Sequence, residues 1–237
     1  MTKKKQLKST SYKKKIEALS RVSQTIASNM YLEEILKLIV MVTAQAMNSK
    51  ICSLLLLDEE KNELVIRATQ SVSDAYNRKP NIKLGEGIAG LVAKENRPIA
   101  ALDVREDSRY INREIAKKEN LCSLLSVPMC VKGKVIGVLN CYTSVKHKFT
   151  KEEIDILIAV ANQAAVAIEN ANLMLKSKMI EEELKTRKFV ERAKGILMKS
   201  LGISEDEAYR KIQKRAMDAR RTMREIAEAI ILAKELE

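Results

Sequence analysis

Apolar residues recur at intervals of three and four through Ile16, Leu19, Val22 and Ile26, and again through Ile35, Leu36, Ile39, Val40, Val42 and Ala46. That period is the signature of amphipathic helices, predicted over 16–27 and 32–47. The period then changes. Residues 51–57 form a short apolar run closed by Asp58, Glu59, Glu60, Lys61 and Asn62, and residues 63–68 form a second, so the pair predicts a hairpin. An irregular stretch with Pro80, Gly85, Gly87 and Gly90 leads into a short helical pattern over 88–95 and a strand at 98–101. Residues 103–120 read as polar loop with a helix over 112–118. Two further strands, 123–131 and 135–142, bracket Lys132-Gly133-Lys134, a tight turn with glycine available for positive φ. Leading helices, an antiparallel sheet and a closing helix make an α+β domain.

The closing helix opens on Thr150 and Glu153, a capping box in which hydroxyl and carboxylate each satisfy an orphan backbone donor. Neither Pro nor Gly follows until Gly195, and the first strong stop is Gly202. A helix of that extent is about 75 Å long, more than one small domain can use. Its stripe Leu157, Ala161, Ala164, Ile168, Ala171 and Leu175 suits packing on the sheet. A second stripe, Val166, Leu173, Ile180 and Leu184, is spaced 7, 7 and 4 with polar Asn170 and Ser177 between, and predicts a short homodimer seam of coiled-coil type. Two more capping boxes, Ser204 with Glu207 and Thr222 with Glu225, start helices over 205–219 and 223–236. Ala208, Ile212 and Ala216 are set to face Ile226, Ala227 and Ile230. The chain therefore divides into a basic tail (1–15), a sheet domain (16–175) and a three-helix module (176–237).

Charge sharpens this division. The net +12 separates into +7 over residues 1–21, +1 over 22–175 and +4 over 176–237. An uneven basic excess suits a polyanionic partner, nucleic acid or an acidic membrane surface. No uninterrupted apolar run approaches bilayer length and the basic start leads into no signal-peptide core, so the expectation is a cytoplasmic protein without a membrane partner. Aromatics are only 3% of the chain, which leaves the core to aliphatic residues and Met. Cys52, Cys122, Cys130 and Cys141 have no CxxC spacing, and His147 is the only histidine, so no metal site is expected. The cysteines read as small apolar residues of buried strands.

Two families are visible in these residues. The string Val190-Glu191-Arg192-Ala193-Lys194-Gly195-Ile196-Leu197-Met198, preceded by Arg187 and followed in register by Gly202-Ile203-Ser204, Ala208-Tyr209, Ala216-Met217 and Ile226-Ala227, resembles the ANTAR family of antitermination modules. The resemblance implies three helices that bind paired RNA hairpins, usually as a dimer, and disfavour a terminator in nascent mRNA. Residues 22–175 resemble a GAF domain, on Gly85-Glu86-Gly87-Ile88-Ala89-Gly90, Ser123-Leu124-Leu125-Ser126-Val127-Pro128, Gly133-Lys134-Val135-Ile136-Gly137-Val138-Leu139, and Phe149-Thr150 ahead of the long helix. This resemblance implies a small-molecule pocket over the sheet, with the ligand itself unspecified.

The chemistry expected is binding. Arg187, Arg192 and Lys194 on the long helix, and Arg215, Arg220, Arg221 and Arg224 around the last turn, are candidate RNA contacts, because guanidinium groups both bridge phosphates and stack on splayed bases. Tyr209 is a candidate stacking residue, with packing between helices as the more ordinary role. The alternative is a DNA-binding helix-turn-helix with 223–230 as recognition helix, although Ile226, Ala227, Ile230 and Ile231 leave it few side chains for base edges. No catalytic residues are expected. His147 reads as an exposed loop residue, and the glycines at 85, 87 and 90 lack the Lys-Ser/Thr and strand context of a phosphate loop. Some GAF-like proteins reduce free methionine sulfoxide through cysteines, which keeps one enzymatic alternative.

Overall fold

The computed structural model describes residues 32–71 and 73–235; the basic tail and the helix expected over 16–27 lie outside the described residues. In chain order the elements are α1 (Leu32–Met47), β1 (Ile51–Asp58), β2 (Glu63–Thr69), α2 (Asp74–Asn77), β3 (Ile82–Lys83), α3 (Gly87–Glu95), β4 (Ile99–Ala101), α4 (Arg113–Lys118), β5 (Leu124–Val131), β6 (Lys134–Tyr142), α5 (Lys151–Leu201), α6 (Glu205–Ala219) and α7 (Met223–Glu235). The chain forms two compact units that change over within α5, between Asn172 and Leu173.

The first unit is an α+β domain built on a six-stranded antiparallel sheet in the order β3-β2-β1-β6-β5-β4. Side chains alternate along each strand. Cys52 and Leu54 of β1, Leu125 and Val127 of β5, and Leu139 and Cys141 of β6 pack on α1 and α5. Ile51, Leu55, Leu124, Val138 and Tyr142 point the other way, into a cluster with α3, Val104, Tyr110 and Leu121. With both faces covered, β1 has no solvent side, and it reads as a continuous apolar run instead of an alternation.

Glycines set the entry to α3. Gly85 and Gly87 have φ of +87° and +61°. The Gly85 N–H donates to the Gly90 carbonyl at 2.9 Å. A Cβ on Gly90 would lie 2.4 Å from the Lys83 carbonyl oxygen. Close backbone approach therefore accounts for this Gly-rich segment without a phosphate. The elements α2 and β3, hidden in the stretch that reads as irregular, are four and two residues long, too short to show a period.

Helix α5 starts as its capping box predicts: Thr150 N–H donates to Glu153 at 2.7 Å, and Glu153 N–H donates to the Thr150 hydroxyl at 3.2 Å. His147 joins the same carboxylate at 3.1 Å and stacks edge-on to Phe149, a capping role. Leu157, Ala161, Ala164 and Ile168 are buried on the sheet, but Leu175 is 49% exposed, so the packing stripe ends at Ala171. Among the described residues α5 is also the one helix long and apolar enough, by length and composition, to cross a bilayer, where uninterrupted runs suggested none. Its most deeply buried residues are committed to the core of the sheet unit.

The second unit is the end of α5 with α6 and α7, around Val190, Ala193, Ile212, Ala216, Ile226, Ala227 and Ile231. Gly202, at φ +64°, ends α5 with its N–H donated to the Met198 carbonyl. The Ser204–Glu207 and Thr222–Glu225 boxes are both formed. The substitution Gly90→Ala is expected to cost about 1–3 kcal/mol through the clash of its Cβ with backbone; chemical denaturation of the sheet unit measures this, and an unchanged midpoint would contradict the packing described.

Candidate nucleic-acid interface and sensor pocket

The α6–α7 corner brings cations to the surface. Arg220 closes α6 in the left-handed conformation (φ +51°), donating its backbone N–H to the Met217 carbonyl, and the Thr222 box starts α7 two residues on. A turn this short between capped helices holds Arg220 and Arg221 at the apex, both exposed, with exposed Arg215 one turn earlier. Among the described residues Arg187, Arg215 and Arg220 make no side-chain ion pair or hydrogen bond, and Arg221 feels Glu225 only at longer range. Between α6 and α7 runs an open groove of about 580 Å³, floored by Ile212, Ile226 and Ile230 and rimmed by Lys211, Arg215 and Arg221. Lys211 was not a candidate from sequence. Its i,i+4 spacing to Arg215 is the signal that could have found it.

The other candidate cations are held by the fold. Arg192 pairs with Glu235 at 2.8 Å. Arg224 pairs with Glu182 and Glu228 and lies over the Phe189 ring, 5.4 Å from its centroid. Lys194 is buried, 2.8 Å from Glu191 and 2.7 Å from Glu205, whose carboxylates push its ammonium pKa up. Tyr209 is 42% exposed on α6, so it does not fill the core between helices. The seam residues Val166, Leu173, Ile180 and Leu184 are 40–58% exposed, an apolar stripe on α5.

On the sheet face opposite α1 and α5 is a cavity of about 20 Å³, lined by Tyr76, Lys79, Tyr110, Asn140 and Tyr142 among apolar neighbours. The Tyr76 hydroxyl donates to Ser53 at 3.0 Å, and the Tyr110 hydroxyl donates to that of Tyr142 at 3.3 Å. Burial pushes the Tyr76 and Tyr142 phenols above their ordinary range. The cysteines lie elsewhere: Cys52 and Cys141 oppose each other on β1 and β6 with Sγ atoms 2.9 Å apart. Burial raises the Cys52, Cys122 and Cys130 thiols, the opposite of what a nucleophile needs.

Residues 30–169, more than half of the chain, match the GAF domain family, and residues 179–231 match the ANTAR domain family. The chain belongs to the GAF family and carries an ANTAR domain after its GAF domain. Over 172 residues the protein is 27% identical to the methyl sulfide methyltransferase-associated sensor of Methanosarcina acetivorans, covering 70% of this chain and 17% of that one. Over 52 residues, 22% of this chain and 25% of the relative, the ANTAR domain is 48% identical to the transcriptional regulatory protein PdtaR of Mycobacterium tuberculosis. Among solved structures, the GAF domain of a phosphoenolpyruvate-protein phosphotransferase from Coxiella burnetii superposes with a TM-score of 0.61 at 28% identity, covering 68% of this chain and 95% of that one. The chain thus spans about a fifth of the length of the curated relatives that match its GAF domain.

Within the ANTAR domain, Lys194→Ala leaves Glu191 and Glu205 facing one another without their cation. A lowered melting temperature is the expected outcome in a thermal unfolding scan, and an unchanged one would remove the structural role assigned to this lysine.

Proposed function

We propose that the protein is a cytoplasmic, signal-responsive regulator whose ANTAR domain binds paired hairpins in nascent mRNA and prevents transcription termination, under control of a small ligand in its GAF domain. The observation that carries this reading is the ANTAR match over 179–231, with an exposed cationic corner on the same module. Arg215, Arg220 and Arg221 are the principal RNA contacts in this reading, with Arg187 and Tyr209 accessory. Arg192, Lys194 and Arg224 serve the fold first, and their charges reach RNA only at longer range. The protein acts as a non-enzymatic homodimer through Val166, Leu173, Ile180 and Leu184, which presents two ANTAR modules to two hairpins. Polar Asn170 and Ser177 in that seam keep it weak enough to respond to a signal.

The DNA-binding alternative has less support. In a helix-turn-helix, α7 would lie in a major groove. Here Ile226, Ala227 and Ile231 of α7 are buried in the three-helix core. A two-hairpin RNA and a DNA duplex of equal length separate the readings: preference for RNA is expected, with affinity falling as salt rises. Preference for the duplex would overturn the proposal. Replacing Arg220 by Gly tests the corner cleanly, since glycine suits the left-handed position. Stability is expected to hold or rise while RNA affinity drops; unchanged affinity in a filter-binding assay would remove Arg220 from the interface. Analytical ultracentrifugation of Leu173→Glu with Ile180→Glu is expected to give monomer where the parent chain gives dimer, and a dimer in both would remove the seam.

A further inference from the structure

The sheet beneath the GAF cavity carries a polar row that the fold leaves partly unpaired. Ser53, Asn140 and Ser126 stand opposite one another across β1, β6 and β5. They are 1%, 3% and 0% exposed, in the middle of the sheet. A buried polar group without a partner is costly, so such groups are nearly always paired. Ser53 is paired, accepting from Tyr76 at 3.0 Å. Asn140 Oδ1 and Ser126 Oγ have no partner among the described residues, and Asn140 lines the cavity. An aliphatic residue at Asn140 would pack the same sheet face without this cost.

Above the row sits Lys79. Its ammonium lies 3.3 Å from the centroid of the Tyr76 ring and 5.9 Å from that of Tyr142. Among the described residues no carboxylate comes within ion-pair distance of it, and Glu119 acts only at longer range. Desolvation without a counterion pulls its pKa down to about 7. Among the described residues no acidic side chain lines the cavity, whose walls include Leu55, Ile66, Ile82 and Ile88. At about 20 Å³ the space holds roughly one water molecule, so a larger ligand requires a wall residue such as Lys79 to move.

We propose that this recess binds a small organic acid, a carboxylate with a neutral hydrogen-bond donor on the adjacent carbon and a short aliphatic body. Lys79 leaves the Tyr76 ring to pair with the carboxylate, Asn140 Oδ1 accepts from the donor, and the apolar walls take the body. The inference rests on the sensor reading of the GAF domain and adds the chemical class of its ligand. A ligand's ammonium group meets no carboxylate among the described residues there, which disfavours cations and zwitterions. A purely aliphatic acid leaves Asn140 unpaired.

The test uses the full chain and three probes of one size: 2-hydroxyisovalerate, its primary amide, and isovalerate, followed by calorimetry at constant ionic strength. The hydroxy acid is expected to bind at least about tenfold more tightly than either analogue, because a charge and a buried hydrogen bond are each lost. Lys79→Met is expected to abolish the preference for acid over amide, Lys79→Arg to retain it, and Asn140→Ala to abolish the preference for hydroxy acid over isovalerate. Equal binding of acid and amide, persistence of the preference in Lys79→Met, or no heat from any probe at millimolar concentration would overturn the proposal. The probe comparison on the parent chain decides the question even where a variant fails to fold. RNA binding measured on the same preparations keeps the two readings apart, since a chain that binds RNA but no probe fails only the ligand assignment.

Discussion

The stripe Leu157, Val160, Ala161, Ala164, Ala165 and Ile168 seals one face of the central sheet, every member at most 1% exposed. It packs in one buried apolar cluster with Cys52, Leu54, Leu139 and Cys141 of the sheet. Once that face is sealed by a helix, the chain must leave the domain as a helix, because no Pro or Gly intervenes before Gly195. The same α5 then supplies Val190 and Ala193 to the core of the second unit. Sensor and output therefore share one backbone-hydrogen-bonded element instead of a linker, and helix formation is cooperative along such an element.

The opposite face of the sheet is where the fold gives up packing for chemistry. Strand alternation sends Leu139 and Cys141 to the helices and Asn140 and Tyr142 to the cavity. A helix-covered face needs only apolar side chains; in the proposed reading the cavity face receives a ligand, which calls for polar groups held in reserve. The three tyrosines serve both demands: Tyr76 and Tyr110 meet Tyr142 edge-on at 6.2 and 6.3 Å, and their hydroxyls stay bonded to neighbours.

Local signals made most of this architecture legible in the sequence. The hairpins, the three capping boxes, the length of α5 and the glycines before α3 all follow from residues a few positions apart. The four-residue α2 and the two-residue β3 were not legible, because each spans barely one period. The burial of Lys194 was not legible either, since Glu205 comes to it from the next helix. Likewise Arg224 is claimed by Glu182, 42 residues earlier in the chain. A basic cluster in sequence thus overstates the charge available to a partner: four of the seven cationic candidates, Arg187, Arg215, Arg220 and Arg221, are free of side-chain ion pairs among the described residues. The pocket was legible only as a family property, because its floor combines residues of three strands and its cation comes from the stretch that reads as irregular.

In the proposed reading this chain acts on transcription through RNA. Single-round transcription in vitro, on a template whose leader encodes two hairpins followed by a terminator, tests it most directly. Added protein is predicted to raise the fraction of transcripts that pass the terminator, and deletion of either hairpin is predicted to remove the effect. Unchanged readthrough on the intact leader, or an increase that survives deletion of both hairpins, would contradict it.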